Sequence, residues 1–107
     1  MKPSQIGALA GCAALGLSLW AARAGDARTG AAVFAQCALC HDAASGGKKI
    51  GPGLKGLFKK LRLTDGKAMT EANVRTRIEA GAKGMPPYRQ LLDAVEKDDL
   101  IAYLKTL

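Results

Sequence analysis

The residues with the most chemistry in them are Cys37, Cys40 and His41, in the run Cys37-Ala38-Leu39-Cys40-His41. Two thiols three positions apart can each add to one of the two vinyl groups on a single porphyrin edge. The adjacent imidazole then lies under the iron and can supply one axial nitrogen. C-x-x-C-H is the signature of covalent haem attachment. A bare C-x-x-C also fits zinc or thiol redox chemistry, and the histidine directly after it separates these readings.

The rest of the chain weighs against those other uses. Structural zinc takes four ligands, and beyond the leader only Cys37, Cys40 and His41 are of the usual nitrogen and sulfur kind. A thioredoxin-like dithiol needs a βαβ frame, and the sequence carries no strand pattern. Nucleic-acid binding would rest on charge alone. The 16 Lys+Arg against 9 Asp+Glu give +7, but the five aromatic residues form no stacking platform. With 107 residues there is room for one small domain. Such a domain buries only a modest core, to which a large flat cofactor adds apolar contact.

A haem iron accepts two axial ligands, and the chain has a single histidine. His41 is the first ligand. Its other ring nitrogen should donate to a backbone carbonyl, which fixes the ring plane and raises its basicity. Pro52, eleven residues on in Gly51-Pro52-Gly53-Leu54, offers such a carbonyl, and Leu54 can lie against the ring. Of the three methionines, Met1 belongs to the leader and Met69 suits a helix staple. Met85 lies in an irregular loop between Gly84 and Pro86-Pro87. Alone, a loop methionine reads as a gap-filler. Beside a haem box with no competing donor, it reads as the second ligand.

Short helices must position these groups. Asp26 is a helix N-cap for a segment running to about Cys37. Gly30, Val33, Phe34 and Cys37 share one face of it, so an ordinary amphipathic stripe would also deliver Cys37 to a haem edge. Residues 45–56 form a glycine-rich loop with no phosphate-binding pattern. Leu54, Leu57, Phe58, Leu61 and Leu63 then lie on the core as a short helix or turn. Thr70 caps the next helix, with Met69 and Val74 as a hydrophobic staple and Gly81 as its stop. Pro86 and Pro87 hold the following loop extended. The last helix starts after Asp93, which pairs with Glu96 as a capping box. Leu100, Ile101, Leu104 and Leu107 form its apolar face. Asp98 and Asp99 near its start suit the helix dipole.

The first residues read as an export signal. Lys2 gives a positive start, Ile6 to Trp20 is uncharged and apolar, and Ala22-Arg23-Ala24 is a small-x-small cleavage site. The expectation is a cleaved signal over 1–24 and a single domain over 25–107. Leu9-Ala10-Gly11-Cys12 resembles a lipobox, so lipidation at Cys12 and an uncleaved membrane anchor stay open as alternatives.

Taken together, Gly30-x-x-x-Phe34, Cys37-x-x-Cys40-His41, Gly51-Pro52-Gly53-Leu54, Met85-Pro86-Pro87 and Leu100-Ile101-Ala102-Tyr103-Leu104 resemble a class I c-type cytochrome. They occur in that family's order and cover nearly all of the chain after the leader. The short interval from His41 to Met85 is similar to the compact bacterial members. The resemblance implies an all-α cytochrome c fold, with three to four helices wrapped around one covalently attached haem c. It also implies that the first and last helices cross near Gly30, Phe34 and Tyr103. Thioethers at Cys37 and Cys40, axial His41 and Met85, and one-electron transfer are further implications. Lys97 falls where those members often carry an apolar residue. No propionate-binding Trp or Tyr is matched, because Trp20 lies in the leader.

A six-coordinate iron has no open site for oxygen or peroxide, so the expected role is electron carriage in a respiratory or photosynthetic chain, not enzymatic turnover. The alternative is a haem-bearing subunit of a periplasmic oxidoreductase complex. Lys48, Lys49, Lys55, Lys59, Lys60 and Lys83 can ring an exposed haem edge and steer it to acidic partner surfaces, or can simply be a solvated basic face. The expected location is the periplasm, with membrane contact only through the N-terminus.

Overall fold

The computed structural model describes residues 24–107; the leader, with Cys12 and Trp20, lies outside them. Within that span the chain is helical, with three α-helices and no strand among the described residues. The order is α1 (Ala27–Val33), a 3₁₀ turn (Phe34–Gln36), a second 3₁₀ turn (Leu57–Lys59), α2 (Glu71–Ala80) and α3 (Ala94–Leu104).

Asp26 opens α1 as expected, its carboxylate accepting from the N–H groups of Arg28 (2.8 Å) and Thr29 (3.4 Å). The helix does not reach Cys37 as α-helix. It tightens to 3₁₀ over Phe34–Gln36, a common way for a helix end to close its last carbonyls. Gly30 is where α1 meets α3. A Cβ there would run into the Asp99 backbone carbonyl and come within 2.8 Å of the Tyr103 Cβ. The missing side chain lets the two backbones touch. Next to this contact the Phe34 and Tyr103 rings lie 5.3 Å apart, tilted by 51°, a favourable aromatic geometry.

Asp99 departs from the surface role its sequence position suggested. It is only 1% exposed, and its Oδ1 accepts from the Asp26 N–H at 2.7 Å. A carboxylate from α3 thus satisfies a backbone donor at the very start of α1, and ties two segments far apart in sequence.

Thr70 caps α2, accepting from the Asn73 N–H at 3.0 Å. Met69 packs on the core, of which buried Val74 is part. Gly81 ends the helix with φ at +69°, and a Cβ there would press on Met85 and Pro86 backbone atoms. Asp93 and Glu96 form the capping box of α3, with the Glu96 N–H donating to Asp93 (2.8 Å) and the Asp93 N–H to Glu96 (3.1 Å). Val33, Phe34, Leu57, Val74, Ile78, Leu92, Leu100, Ile101 and Leu104 make the core.

The expected leucine cluster is only partly realised. Leu57 is buried and Leu54, Phe58 and Leu63 pack on the core, but Leu61 is 87% exposed. Residues 61–69 fold into a turn, with the Leu63 N–H donating to Lys67 (2.8 Å) and the Met69 N–H to Leu61 (3.0 Å). That turn carries Leu63 and Met69 inward and leaves Leu61 outside. Among the described residues no helix is long and apolar enough to cross a membrane.

Candidate haem-binding site

The thiol pair grows directly out of the end of α1. The N–H groups of Cys37 (2.8 Å) and Ala38 (3.0 Å) donate to the Phe34 carbonyl. Those of Cys40 (3.1 Å) and His41 (2.9 Å) donate to the Cys37 carbonyl. Consecutive tight turns therefore wind the motif into one rigid unit. Both cysteines are half-buried free thiols. Burial first, and the neighbouring Cys40 second, push the Cys37 thiol up. Lys49, across the loop, donates its ammonium to the Ala38 carbonyl at 3.0 Å. No sequence pattern signals that contact.

His41 is held from the other side. Its Nδ1 lies 2.7 Å from the Pro52 carbonyl oxygen. A carbonyl can only accept, so Nδ1 carries the proton and the Nε2 lone pair remains for a metal. The Gly51 N–H donates to the Cys40 carbonyl at 2.7 Å, which brings the proline segment alongside the motif. A Cβ on Gly51 would come within 2.6 Å of His41 Cε1 and 2.9 Å of Nδ1. The glycine is the space the ring occupies. Leu54 hangs from the same segment, its N–H donating to Asp42 (2.8 Å) while its side chain packs on the core.

Met85 sits half-buried on a short loop after α2. The loop closes on itself, with the Met85 N–H donating to the Ala82 carbonyl (2.9 Å) and the Ala82 N–H to that of Met85 (3.1 Å). Gly84 turns it with φ at +82°. Three residues on, burial and then the charges of Cys37 and Cys40 push the Tyr88 phenol up. Tyr88 was not singled out in the sequence, where its place in a proline-rich loop after Met85 was the available signal.

These side chains suit a haem better than a bare ion. Among the described residues no group of three or more His, Cys, Asp or Glu side chains converges to hold a metal, whereas structural zinc needs four ligands. Thiols at thioether spacing and an imidazole with one nitrogen already committed are the donors that covalent haem attachment takes. The six lysines named above are all exposed. Leu39 (73%) and Ile50 (70%) expose apolar surface from the thiol motif and the adjoining proline segment.

Residues 25–104 match the family model described as cytochrome c oxidase, cbb3-type, subunit III. A cytochrome c of Gibberella zeae is 35% identical over 99 residues, covering 76% of this chain and 93% of that protein. Cytochrome c2 of Blastochloris viridis is 36% identical over 108 residues, 85% of each chain. A cytochrome c of Cochliobolus lunatus is 47% identical over 58 residues, about half of each.

Proposed function

The chain belongs to the cytochrome c family as a class I member, and we propose that it carries its electron through a haem iron held between His41 and Met85. It is an electron carrier with covalently attached haem c and works with redox partner proteins. Cys37 and Cys40 are the thioether donors in this reading. The group supplies a one-electron iron couple when bound; the chain decides how that couple behaves.

The observation that carries the reading is the Nδ1 contact of His41 with Pro52 at 2.7 Å. It fixes the tautomer that leaves Nε2 for iron and orients the ring plane. Pro52 acts through its carbonyl, and Leu54, carried on the same segment, lies against the ring in this reading. The Met85 sulfur favours ferrous iron and raises the potential relative to a second imidazole. Burial acts in the same direction, by disfavouring the extra positive charge of ferric iron. With both axial positions filled, oxygen and peroxide find no open site, so the protein carries electrons without catalytic turnover of its own.

Partners with acidic surfaces fit the exposed lysines. The periplasm fits the export-like leader, with 25–107 as the mature domain. Lipidation of Cys12 or an uncleaved leader would instead tether the same domain to the membrane. The family model is named for an oxidase subunit, and this favours a second reading as the haem subunit of a larger oxidoreductase. Isolation with a tightly bound partner distinguishes it from a free carrier.

Met85→Ala tests the ligand set. The variant should bind carbon monoxide in its ferrous form, whereas the parent does not. An unchanged low-spin spectrum, indifferent to carbon monoxide, would show that another residue is the ligand.

A further inference from the structure

Lys97 is a charged residue on α3 whose side chain is only 12% exposed. The aliphatic stem is covered, while the ammonium end makes its hydrogen bond at the surface. Lys97 finds two partners at one place. Its Nζ donates to the Arg89 carbonyl at 3.0 Å and lies 3.9 Å from Glu79 Oε2. Arg89 Nε faces the same Glu79 oxygen at 3.9 Å. Three elements meet there: the end of α2, the segment leaving the Met85 loop, and the first turns of α3.

That outgoing segment has a second job. A helix end leaves carbonyls without intrahelical donors. The Tyr88 N–H donates to the Ile78 carbonyl (2.9 Å) and the Arg89 N–H to the Glu79 carbonyl (3.2 Å). On the incoming side the Gly81 N–H donates to Arg77 (2.8 Å), and the Arg77 guanidinium donates back to the Gly81 carbonyl (3.3 Å). The Met85 loop is thus stitched to α2 at both ends. Lys97 adds a charged tie to the outgoing stitch from a different helix.

We propose that Lys97 is a positioning residue for the sixth iron ligand: through the Arg89 carbonyl and Glu79 it clamps the outgoing limb of the Met85 loop between α2 and α3. This rests on Met85 being that ligand. Lys97 never touches the iron. It sets how easily the loop swings away and lets another ligand in.

Imidazole binding to the ferric, haem-loaded protein reads this directly, because imidazole must displace the methionine. Lys97→Met keeps the aliphatic stem and removes the ammonium. Loss of a hydrogen bond from a charged group at the surface should tighten imidazole binding about three- to tenfold, and Lys97→Arg should restore most of the parent value. Leu104→Ala, a core change at the far end of α3, should lower the unfolding midpoint without changing imidazole affinity. Should Lys97→Met fail to mature, Glu79→Gln cuts the same tie from α2 and should also tighten imidazole binding. The sulfur-to-iron charge-transfer band separates the two levels of the reading. If Met85→Ala retains that band, the ligand assignment fails and the clamp with it. If Met85→Ala loses the band but the Lys97 or Glu79 variant binds imidazole within twofold of the parent, the clamp alone is overturned.

Discussion

His41 Nδ1 and the Pro52 carbonyl oxygen lie 2.7 Å apart, and the intervening loop lets the ring fit because residue 51 has no side chain. The contact links a histidine to a proline eleven residues on, and it orients the one imidazole in the chain. Gly51→Ala puts a methyl group against the ring edge. Overpacking of this kind costs about 1–3 kcal/mol. The expected outcome is a lower denaturant midpoint together with a shifted redox potential, since the ring must tilt. An unchanged potential and midpoint would mean that the loop yields instead of the histidine.

The crossing of α1 and α3 makes a second prediction. Gly30→Val drives a branched side chain into the Asp99 backbone and the Tyr103 Cβ, so the helices must separate. Phe34→Ala leaves the crossing in place but empties the space beside Tyr103, at about 3–5 kcal/mol. Both should lower thermal stability strongly, Gly30→Val also lowering the yield of mature protein. Urea unfolding of the purified variants measures this.

Much of this scaffold was legible because its signals are local. Thr70, Gly81 and the Asp93–Glu96 pair act on backbone groups within a few residues, and the structure uses each as expected. The His41–Pro52 contact followed from what a ligating imidazole needs from its second nitrogen. Asp99 was not legible. A carboxylate early in a helix reads as a surface dipole partner, and only tertiary packing brings the Asp26 N–H to it. Leu61 failed in the opposite sense: a leucine in an apolar run reads as core until a turn leaves it outside. Lys97 broke the apolar pattern of the last helix, yet α3 runs straight through it. Its partners Glu79 and Arg89 belong to other segments, so no local pattern announces them.

Asp65 gives a pH dependence with a definite sign. The Lys67 N–H that it accepts (2.9 Å) does most to hold its carboxyl below the usual carboxylate range; burial, next in size, opposes this, and the paired Arg77 guanidinium adds to the lowering. A carboxyl depressed in the folded state stabilises above its unfolded value of about 3.9, and the effect is lost as pH falls through the folded value. Asp65→Asn should therefore be less stable than the parent at pH 6, and the gap should close as the pH drops below about 4. Paired urea titrations across that range would contradict the assignment if the gap widened in acid.

The lysine surface predicts a salt effect. Lys48, Lys49, Lys55, Lys59, Lys60 and Lys83 are exposed, and attraction between exposed charges is screened beyond about 8 Å at physiological ionic strength. Electron-transfer rates to an acidic partner should fall as salt rises, and Lys48→Glu combined with Lys83→Glu should flatten that slope. Rates indifferent to salt would leave the lysines as a solvated face.

The intact mass of the purified protein, made in a host that matures covalent haem proteins and read together with its reduced-minus-oxidised spectrum, tests the central claim most directly. The account predicts one haem bound through two thioethers at Cys37 and Cys40, and a low-spin spectrum that changes sharply on reduction. A colourless polypeptide with both thiols free would contradict it.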